Sequence, residues 1–260
     1  MKEATLQSTG DPWAEILERA PWFHNLHLPD GTQTAPEHPL GDFPAFKWAA
    51  IAAHIPVDLH GWRVLDVGCN AGFYSIELAR RGAHVTAVDI DPHYLDQARW
   101  AARRCRVQDA ITFWQQPVYA LAHDPASYDP VWFMGVFYHL RYPTLALDIL
   151  RRKTRKLMMF QSLTMPGDHV LTPPENLPID ARERMLEPGW PRMAFIELRL
   201  ADDPTNWWAP NHACVEAMLR ASGFRVRARP DHECYLCEPD GVTPIRHDEE
   251  LRAAVNLTSK

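Results

Sequence analysis

The sequence predicts an α/β fold built on a seven-stranded sheet whose last strand runs antiparallel to the others. Two observations support this prediction. Strand-like apolar runs alternate with helical spacing over residues 61–160, and two strand-like runs separated by a tight turn follow near the end of the chain. The alternation is typical of a parallel sheet, whereas the short link requires an antiparallel hairpin. The length of 260 residues suits one sizeable core with additions.

The elements follow one another in a regular order. Residues 63–67 form an apolar run ending at Gly68, residues 73–81 have helical spacing up to Gly82, and residues 84–90 form a second apolar run. This pattern predicts a β-α-β unit. Asn211 is placed to cap a later helix that ends at Gly223. The remaining predictions are helices at residues 92–104, 142–152 and 212–222 and strands at residues 110–115, 130–136, 157–163, 224–229 and 233–238.

Proline-rich segments flank this regular middle part. Of the 23 prolines, seven lie in residues 1–56 and eight in residues 166–210, and six of the ten tryptophans also lie outside residues 61–160. Large aromatic residues favour ordered packing over a loose linker. We therefore expect an N-terminal cap (1–56), a core (57–165), a lid insertion (166–210) and a C-terminal helix and hairpin (211–260), with cap and lid over the carboxyl ends of the strands.

The composition argues against several classes of protein. A chain with 46% hydrophobic and 23% charged residues is typical of globular proteins. Charged residues in the first twenty positions and the absence of a long apolar run predict neither a signal peptide nor a membrane span, so we expect a cytoplasmic protein. Five cysteines, with a lone C-x-x-C at Cys234 and Cys237, predict reduced thiols and no metal centre. The cluster His24, His27 and His38 lacks the accompanying ligands of a metal site.

Charge is distributed unevenly along the chain. Residues 61–160 contain 13 Lys or Arg and 9 Asp or Glu, whereas the rest of the chain contains 14 and 24. Acidic flanks oppose a polyanionic partner, so a nucleic-acid substrate is disfavoured. The dense basic run at residues 151–156 leaves open a local basic ridge, with a solvated helix end as the alternative.

A glycine-rich loop follows the first predicted strand. Asp66, Gly68, Asn70 and Gly72 resemble the first motif of class I S-adenosylmethionine (SAM) methyltransferases, whose Rossmann-like sheet also ends in a reversed strand. The glycines let the backbone approach a ligand, and Asp66 offers an acceptor for the ammonium group of the cofactor. Asp89, after the second strand, is placed to bind both ribose hydroxyls. A ligand-free turn and helix capping by Asp89 are the alternatives.

Three further segments resemble the tRNA wobble-uridine carboxymethyltransferase family, a subfamily of these enzymes. They are residues 22–31, 46–48 and 133–139, and the resemblance extends from about Pro21 to Gly223. It implies SAM as the cofactor and adds further contact residues to those of the loop. The complete predicted cofactor set is Lys47, Asp66, Gly68, Asn70, Gly72, Phe73, Asp89, Ile90, Val118, Tyr119, Met134 and Tyr138.

Two departures from that family concern the transferred group. The family member that uses carboxy-SAM has a lysine where this chain has Asp30, and its C-terminal arginine has no match here. Because an additional carboxylate on the donor needs cations, these departures predict ordinary SAM and methyl transfer.

Several residues are candidates for acceptor chemistry. His139 and Tyr138 follow the fourth predicted strand, and His24 lies in the cap, so each is a candidate catalytic residue, with a structural role as the alternative. Trp207, Trp208 and Asn211 are candidates for an acceptor pocket, with core packing as the alternative.

The sequence thus predicts a SAM-dependent methyltransferase acting on a hydroxyl of a small molecule or saccharide. Wobble-uridine modification of tRNA, by methyl or carboxymethyl transfer, and a non-catalytic SAM-binding partner subunit remain the alternatives. No feature of the sequence indicates an oligomeric state.

Overall fold

The computed structural model describes residues 11–241 and 248–256, so parts of the predicted cap and C-terminal segment lie outside the described residues. The described residues form helices and strands in nearly the predicted order. The helices are α1 (Pro12–Glu18), α2 (Ala45–Ile51), α3 (Phe73–Arg80), α4 (Pro92–Arg104), α5 (Pro143–Lys153), α6 (His212–Ala221) and α7 (Asp248–Ala254). The strands are β1 (Arg63–Val67), β2 (His84–Asp89), β3 (Ile111–Gln115), β4 (Tyr128–Met134), β5 (Thr154–Gln161), β6 (Met193–Phe195), β7 (Trp208–Pro210), β8 (Phe224–Asp231) and β9 (Cys234–Pro239).

Seven of these strands form one sheet in the order β3-β2-β1-β4-β5-β9-β8. The first five strands are parallel to one another, and β9 runs antiparallel to both β5 and β8. The predicted seven-stranded sheet with a reversed last strand is therefore confirmed. Since β1, β2, β4, β5 and β8 all end at the same edge, their following loops meet there. We call this edge the carboxyl edge.

The sheet separates two hydrophobic layers. Val64, Trp132 and Cys234 pack with α3 and α4 on one face, whereas Phe133 and Cys237 pack with α5 and α6 on the other. Cys234 and Cys237 thus lie on opposite faces of β9, as the strand-like alternation of this segment predicts. All five cysteines are free thiols.

The N-terminal cap extends beyond the carboxyl edge. Helix α1 packs along α4, where the Trp100 indole donates to Glu15 and Arg104 forms an ion pair with Glu15 at 2.8 Å. Because α4 starts after β2 and runs back toward the start of β3, Arg104 lies near the opposite edge. The prediction that the whole cap covers the carboxyl edge is therefore wrong, since amphipathic α1 buries Ile16 against the helix layer instead.

The lid, residues 166–210, does lie at the carboxyl edge. The Trp207 amide donates to the carbonyl of Tyr138 at 2.9 Å, and the Trp208 indole donates to the carbonyl of Leu140 at 3.0 Å. A two-stranded sheet of β6 and β7 stiffens its second half.

Throughout residues 11–241 and 248–256, every helix falls short of the length and apolar character that a bilayer span requires.

Candidate functional site

The glycine-rich loop joins β1 to α3 at the carboxyl edge. Gly68 and Gly72 have φ values of +71° and +83°, which favour glycine, and Asn70 has φ +50°. A Cβ on Gly68 would lie 2.2 Å from Val136 Cγ2, and one on Gly72 would lie 3.0 Å from Ala98 Cβ. Close packing on both sides explains why these positions need glycine.

Asp89 fixes the shape of this loop. Its Oδ2 accepts the Asn70 amide at 2.8 Å, and its Oδ1 accepts the Asp91 amide at 3.0 Å. Burial raises the pKa of Asp89, although these backbone donors lower it in part. The loop 68–73 and Asp89 thus form one unit, which we call the cofactor cradle. Each Asp89 oxygen retains a second lone pair for a hydroxyl donor.

Asp66 lies beneath the cradle. Its Oδ2 accepts the Ser75 hydroxyl at 2.5 Å, and its side chain is almost fully buried. Burial raises the pKa of Asp66 to about 7, and the neighbouring charge of Asp89 contributes to the increase. A cation that reached this carboxylate would favour its ionised form.

Five other predicted cofactor residues lie at the start of α3 and in or next to the ends of β2, β3 and β4. Phe73 starts α3 and is buried, whereas Ile90 follows Asp89 and is 67% exposed. Met134 ends β4 beside the loop, and Val118 is buried in the layer of α5. The Tyr119 hydroxyl accepts the Tyr142 amide at 3.1 Å, so it already has a partner within the fold.

Lys47 reaches the site from α2. Its Nζ lies 4.0 Å from Asp231 Oδ2 at the end of β8. The structure therefore brings it to the carboxyl edge next to the hairpin, rather than directly to the glycine loop.

A chain of hydrogen bonds connects the loop after β4 to the lid. His139 Nδ1 lies 2.9 Å from Thr205 Oγ1, and Thr205 Oγ1 donates to Asp203 Oδ1 at 2.6 Å. Because the threonine hydroxyl donates its only proton to Asp203, it accepts from His139, so Nδ1 carries the imidazole proton. Nε2 is then the ring nitrogen with a free lone pair, as a general base requires.

The charge state of His139 suits that role. Burial lowers the pKa of His139 below its usual value, and the opposing effect of the Asp203 carboxylate is smaller. The ring is therefore neutral at pH 7, and the carboxylate of Asp203, 3.7 Å from Nδ1, can stabilise the imidazolium that forms after proton uptake.

The loop after β4 connects the acceptor side to the cradle. Val136 of this loop packs against Gly68, where an added Cβ would lie 2.2 Å from Val136 Cγ2. Burial raises the pKa of the Tyr94 hydroxyl, and the carboxylates of Asp91, Asp89 and Asp203 add to this increase. Burial raises the pKa of Tyr138 to about 12, and the carboxylates of Glu233 and Asp203 contribute to the increase. The Tyr138 hydroxyl therefore keeps its proton. The Tyr138 and His139 rings lie 4.2 Å apart.

Trp207 belongs to an aromatic platform beside His139. Its indole stacks on Phe195 at 6.3 Å and 12°, and the Arg141 guanidinium lies 4.9 Å from its ring centre. The predicted partners Trp208 and Asn211 have other roles. The Trp208 indole N–H is bound to Leu140, and the Asn211 side chain caps α6 and bonds Arg192 and Trp190. The Trp208 N–H and the Asn211 amide thus have partners within the fold, and an acceptor pocket lined by both indoles stays a prediction.

His24 has an environment that differs from that of His139. It packs against the rings of Phe43, Phe73 and Tyr74, and burial lowers its pKa to about 3. Its contacts are those of a buried packing residue, and the structure does not bring it into the chain from His139 to Asp203.

Asp30 lies away from the cradle. It borders a groove of about 590 Å³ at the far end of α4, together with Arg103, Arg104 and Arg106. Helix α4 has 13 residues and thus separates this groove from Asp89 by about 20 Å. The argument that Asp30 selects the donor is therefore wrong, although the choice of SAM itself stays a prediction.

The basic run 151–156 also lies at the opposite edge, where α5 ends and β5 begins. Arg152 pairs with Asp248, Lys153 donates to the Asp124 carbonyl, and Lys156 lies 3.2 Å from Asp129. These contacts leave no basic ridge beside the carboxyl edge in this part of the described chain.

Comparisons with known proteins identify a methyltransferase domain in this chain. Residues 64–156 match a family model described as a methyltransferase domain. The tRNA U34 carboxymethyltransferase of Pseudomonas putida (strain W619) is 33% identical over 210 residues, which cover 80% of this chain and 57% of that relative. The protein of the same name from Pseudomonas savastanoi pv. phaseolicola is 30% identical over 201 residues, which cover 72% of this chain. The chain spans 57% and 59% of the lengths of these two relatives.

Solved structures share the fold at low identity. The N-terminal domain of EvdMO1, crystallised in the presence of SAH and D-fucose, aligns with a TM-score of 0.58 and 18% identity over 86% of this chain and 92% of that chain. The [4+2]-cyclase SpnF aligns with a TM-score of 0.55 and 16% identity over 83% and 70%. The predicted fold class and family resemblance are therefore confirmed, and the predicted methyltransferase class is confirmed for the domain of residues 64–156.

Proposed function

We propose that this chain, which has the class I methyltransferase fold and carries a methyltransferase domain, transfers a one-carbon group from SAM to a hydroxyl oxygen. The observation that supports the proposal best is the junction at the carboxyl edge. There, the hydrogen-bonded chain from His139 through Thr205 to Asp203 starts in the loop after β4, and Val136 of that loop packs against Gly68 of the cofactor cradle. The loop 68–73, Asp66 and Asp89 would hold the cofactor there, and the cofactor would supply an electrophilic methyl group.

The proposed reaction is an in-line displacement on that methyl group. The acceptor oxygen forms a bond to carbon as the carbon–sulfur bond breaks, and the bonding electrons leave on sulfur to give the neutral thioether. His139 Nε2 takes the hydroxyl proton. Because the sulfonium is a good leaving group, alignment and proton removal supply most of the acceleration.

The acceptor that the comparisons favour is a wobble uridine of tRNA. The curated relatives are named for this substrate, which supports tRNA over the small molecule or saccharide expected from the charge pattern. The platform of Trp207, Phe195 and Arg141 adds independent support, since aromatic and guanidinium planes stack on nucleobases. A cytoplasmic location belongs to the same proposal.

A small or saccharide acceptor is the second candidate. It is favoured by the acidic side chains near His139, which include Asp203, and by the position of the basic run at the opposite edge. Phosphate contacts would need other cations close to the carboxyl edge.

A transfer assay with methyl-labelled SAM separates these acceptors. Purified protein is incubated with total tRNA and, separately, with a cell extract freed of nucleic acid, and the labelled fraction is identified by mass. We expect label in a tRNA nucleoside, lost in His139→Gln and strongly reduced in Trp207→Ala. The control His84→Ala changes an exposed residue at the opposite edge and should be fully active.

Each other outcome contradicts a defined part of the proposal. Label only in the extract would favour the second acceptor, whereas SAM binding without transfer to either pool would favour a non-catalytic SAM-binding subunit.

A further inference from the structure

Three potential metal ligands from separate segments converge next to the β8–β9 turn. They are Asp168 in the lid, His212 at the start of α6, and His232 in the turn. Asp168 Oδ1 lies 3.6 Å from Nε2 of His212 and 3.6 Å from Nε2 of His232. The three donor atoms all lie within 4.8 Å of one another.

The buried histidine of this group is only partly satisfied within the fold. The His212 side chain has no exposed surface, and its Nε2 has no hydrogen-bond partner among the described residues. That nitrogen faces the Asp168 carboxylate at a distance too long for a hydrogen bond. Because an unpartnered buried polar atom destabilises a fold, an unpaired nitrogen aimed at two other donors points to a ligand between them.

We propose that Asp168, His212 and His232 form a binding site for a first-row transition-metal dication such as Zn²⁺. Two imidazole nitrogens and one carboxylate oxygen are a common donor set for these ions, and the set leaves further positions open for water. Ligand bonds of about 2.0 to 2.2 Å in a tetrahedron place donor atoms about 3.4 Å apart. The two distances of 3.6 Å are close to this value.

The surroundings of His212 supply the second contact that a ligating imidazole needs. The Tyr235 hydroxyl contacts Nδ1, and Arg229 Nη2 lies 3.0 Å from Nδ1 and 3.2 Å from the His232 carbonyl oxygen. Metal binding at Nε2 places the imidazole proton on Nδ1, which then donates to the Tyr235 oxygen. Because the Arg229 guanidinium can only donate, it must then move away from the protonated Nδ1 and keep its bond to the His232 carbonyl. Such a contact orients the ring and strengthens the metal bond.

The site would connect the lid to the rest of the fold. Glu233, next to His232, accepts the Thr164 amide at 2.8 Å and the Gln161 amide group at 3.2 Å at the end of β5. A metal bound by Asp168 of the lid and His232 of the β8–β9 turn would add a second link between the start of the lid and the hairpin. The metal site is independent of the proposed function, and the cysteine and histidine spacing did not predict it.

Zinc binding by the full chain tests the proposal. The protein is stripped with a chelator, and Zn²⁺ alone is titrated in competition with a chromophoric chelator. We expect one tight equivalent, and His232→Ala and Asp168→Asn should each weaken it at least about tenfold. Both side chains are largely exposed, so these variants should fold, and His84→Ala serves as the matched control.

A second measurement locates the ion. Zn²⁺ should slow amide exchange in the start of the lid and in the β8–β9 turn of the unaltered chain, but not of His232→Ala. The proposal is overturned if no stoichiometric Zn²⁺ binds, or if both ligand variants bind it as tightly as the control.

Discussion

The cofactor cradle and the acceptor side occupy the same edge of the sheet but are built in different ways. The cradle comes from one β-α-β unit, in which Gly68, Asn70 and Asp89 are fixed by backbone hydrogen bonds. The acceptor side joins His139 to Thr205 and Asp203 through side chains from two distant segments. A local motif therefore builds the first region, whereas tertiary packing of the lid builds the second.

This difference separates the two functions experimentally. Changes in the cradle should affect cofactor affinity, and changes around His139 should affect transfer after the cofactor has bound. We expect the largest effect from loss of the general base His139 and the smallest from a change of the methyl donor.

The largest effect is expected for His139→Gln. Loss of a general base costs about 10² to 10⁴ in rate, while the cofactor site remains intact. Initial rates at saturating SAM measure this effect. His24→Gln is the matched histidine variant and should keep its turnover, since His24 packs against aromatic rings. An equal loss in both variants would contradict the separate roles.

Gly68→Ala should destabilise the cradle and prevent cofactor binding. The new Cβ would overlap Val136 Cγ2, and overpacking of this kind costs about 1 to 3 kcal/mol. Gly61→Ala is a close control, because Gly61 has φ +77° with no atom within 4 Å of a built Cβ. Urea unfolding of both variants isolates the contact with Val136. Equal losses of unfolding free energy would show that only the backbone conformation matters.

Cofactor affinity should increase as the pH rises through about 7. Burial raises the pKa of Asp66 to about 7, and its ionised form attracts an ammonium group. Without cofactor, the stability of the fold should decrease, not increase, as the pH rises. The Asp66 carboxyl holds its proton more tightly in the folded chain than in the unfolded chain, where its pKa is about 3.9. Its contribution to the free energy of unfolding therefore falls as the pH rises from about 4 to 7. In Asp66→Asn, calorimetry should show no such pH dependence of cofactor affinity, and thermal melts should show no such pH dependence of stability. If both pH profiles of this variant match those of the unaltered chain, Asp66 is not the titrating group.

The smallest expected effect concerns the donor. Burial raises the pKa of Tyr138, and the carboxylates of Glu233 and Asp203 add to this increase. These acidic side chains should disfavour a donor with an additional carboxylate. SAM should therefore bind several-fold more tightly than carboxy-SAM in a competition assay. Tighter binding of carboxy-SAM would reverse this prediction and agree with the names of the relatives.

The local structure of the cradle could be predicted because its residues are close along the chain, whereas its role in cofactor binding stays a prediction. Glycine spacing and the acid after β2 are local signals, and so are the strands and the hairpin. Asp203, Thr205 and Arg141 were missed, since no sequence spacing links them to His139 or Trp207. The position of Asp30 was also misjudged, because the path of the cap along α4 depends on tertiary contacts such as that of Glu15 with Arg104.

Calorimetric titration of SAM into Asp89→Ala and His139→Gln, with transfer rates measured on the same samples, tests the division between the two regions most directly. Asp89→Ala should lose about 1.5 to 3 kcal/mol of SAM binding free energy, the range for hydrogen bonds to a charged group. His139→Gln should bind SAM as the unaltered chain does and transfer almost nothing. Unchanged affinity in Asp89→Ala, or full transfer by His139→Gln, would contradict the account.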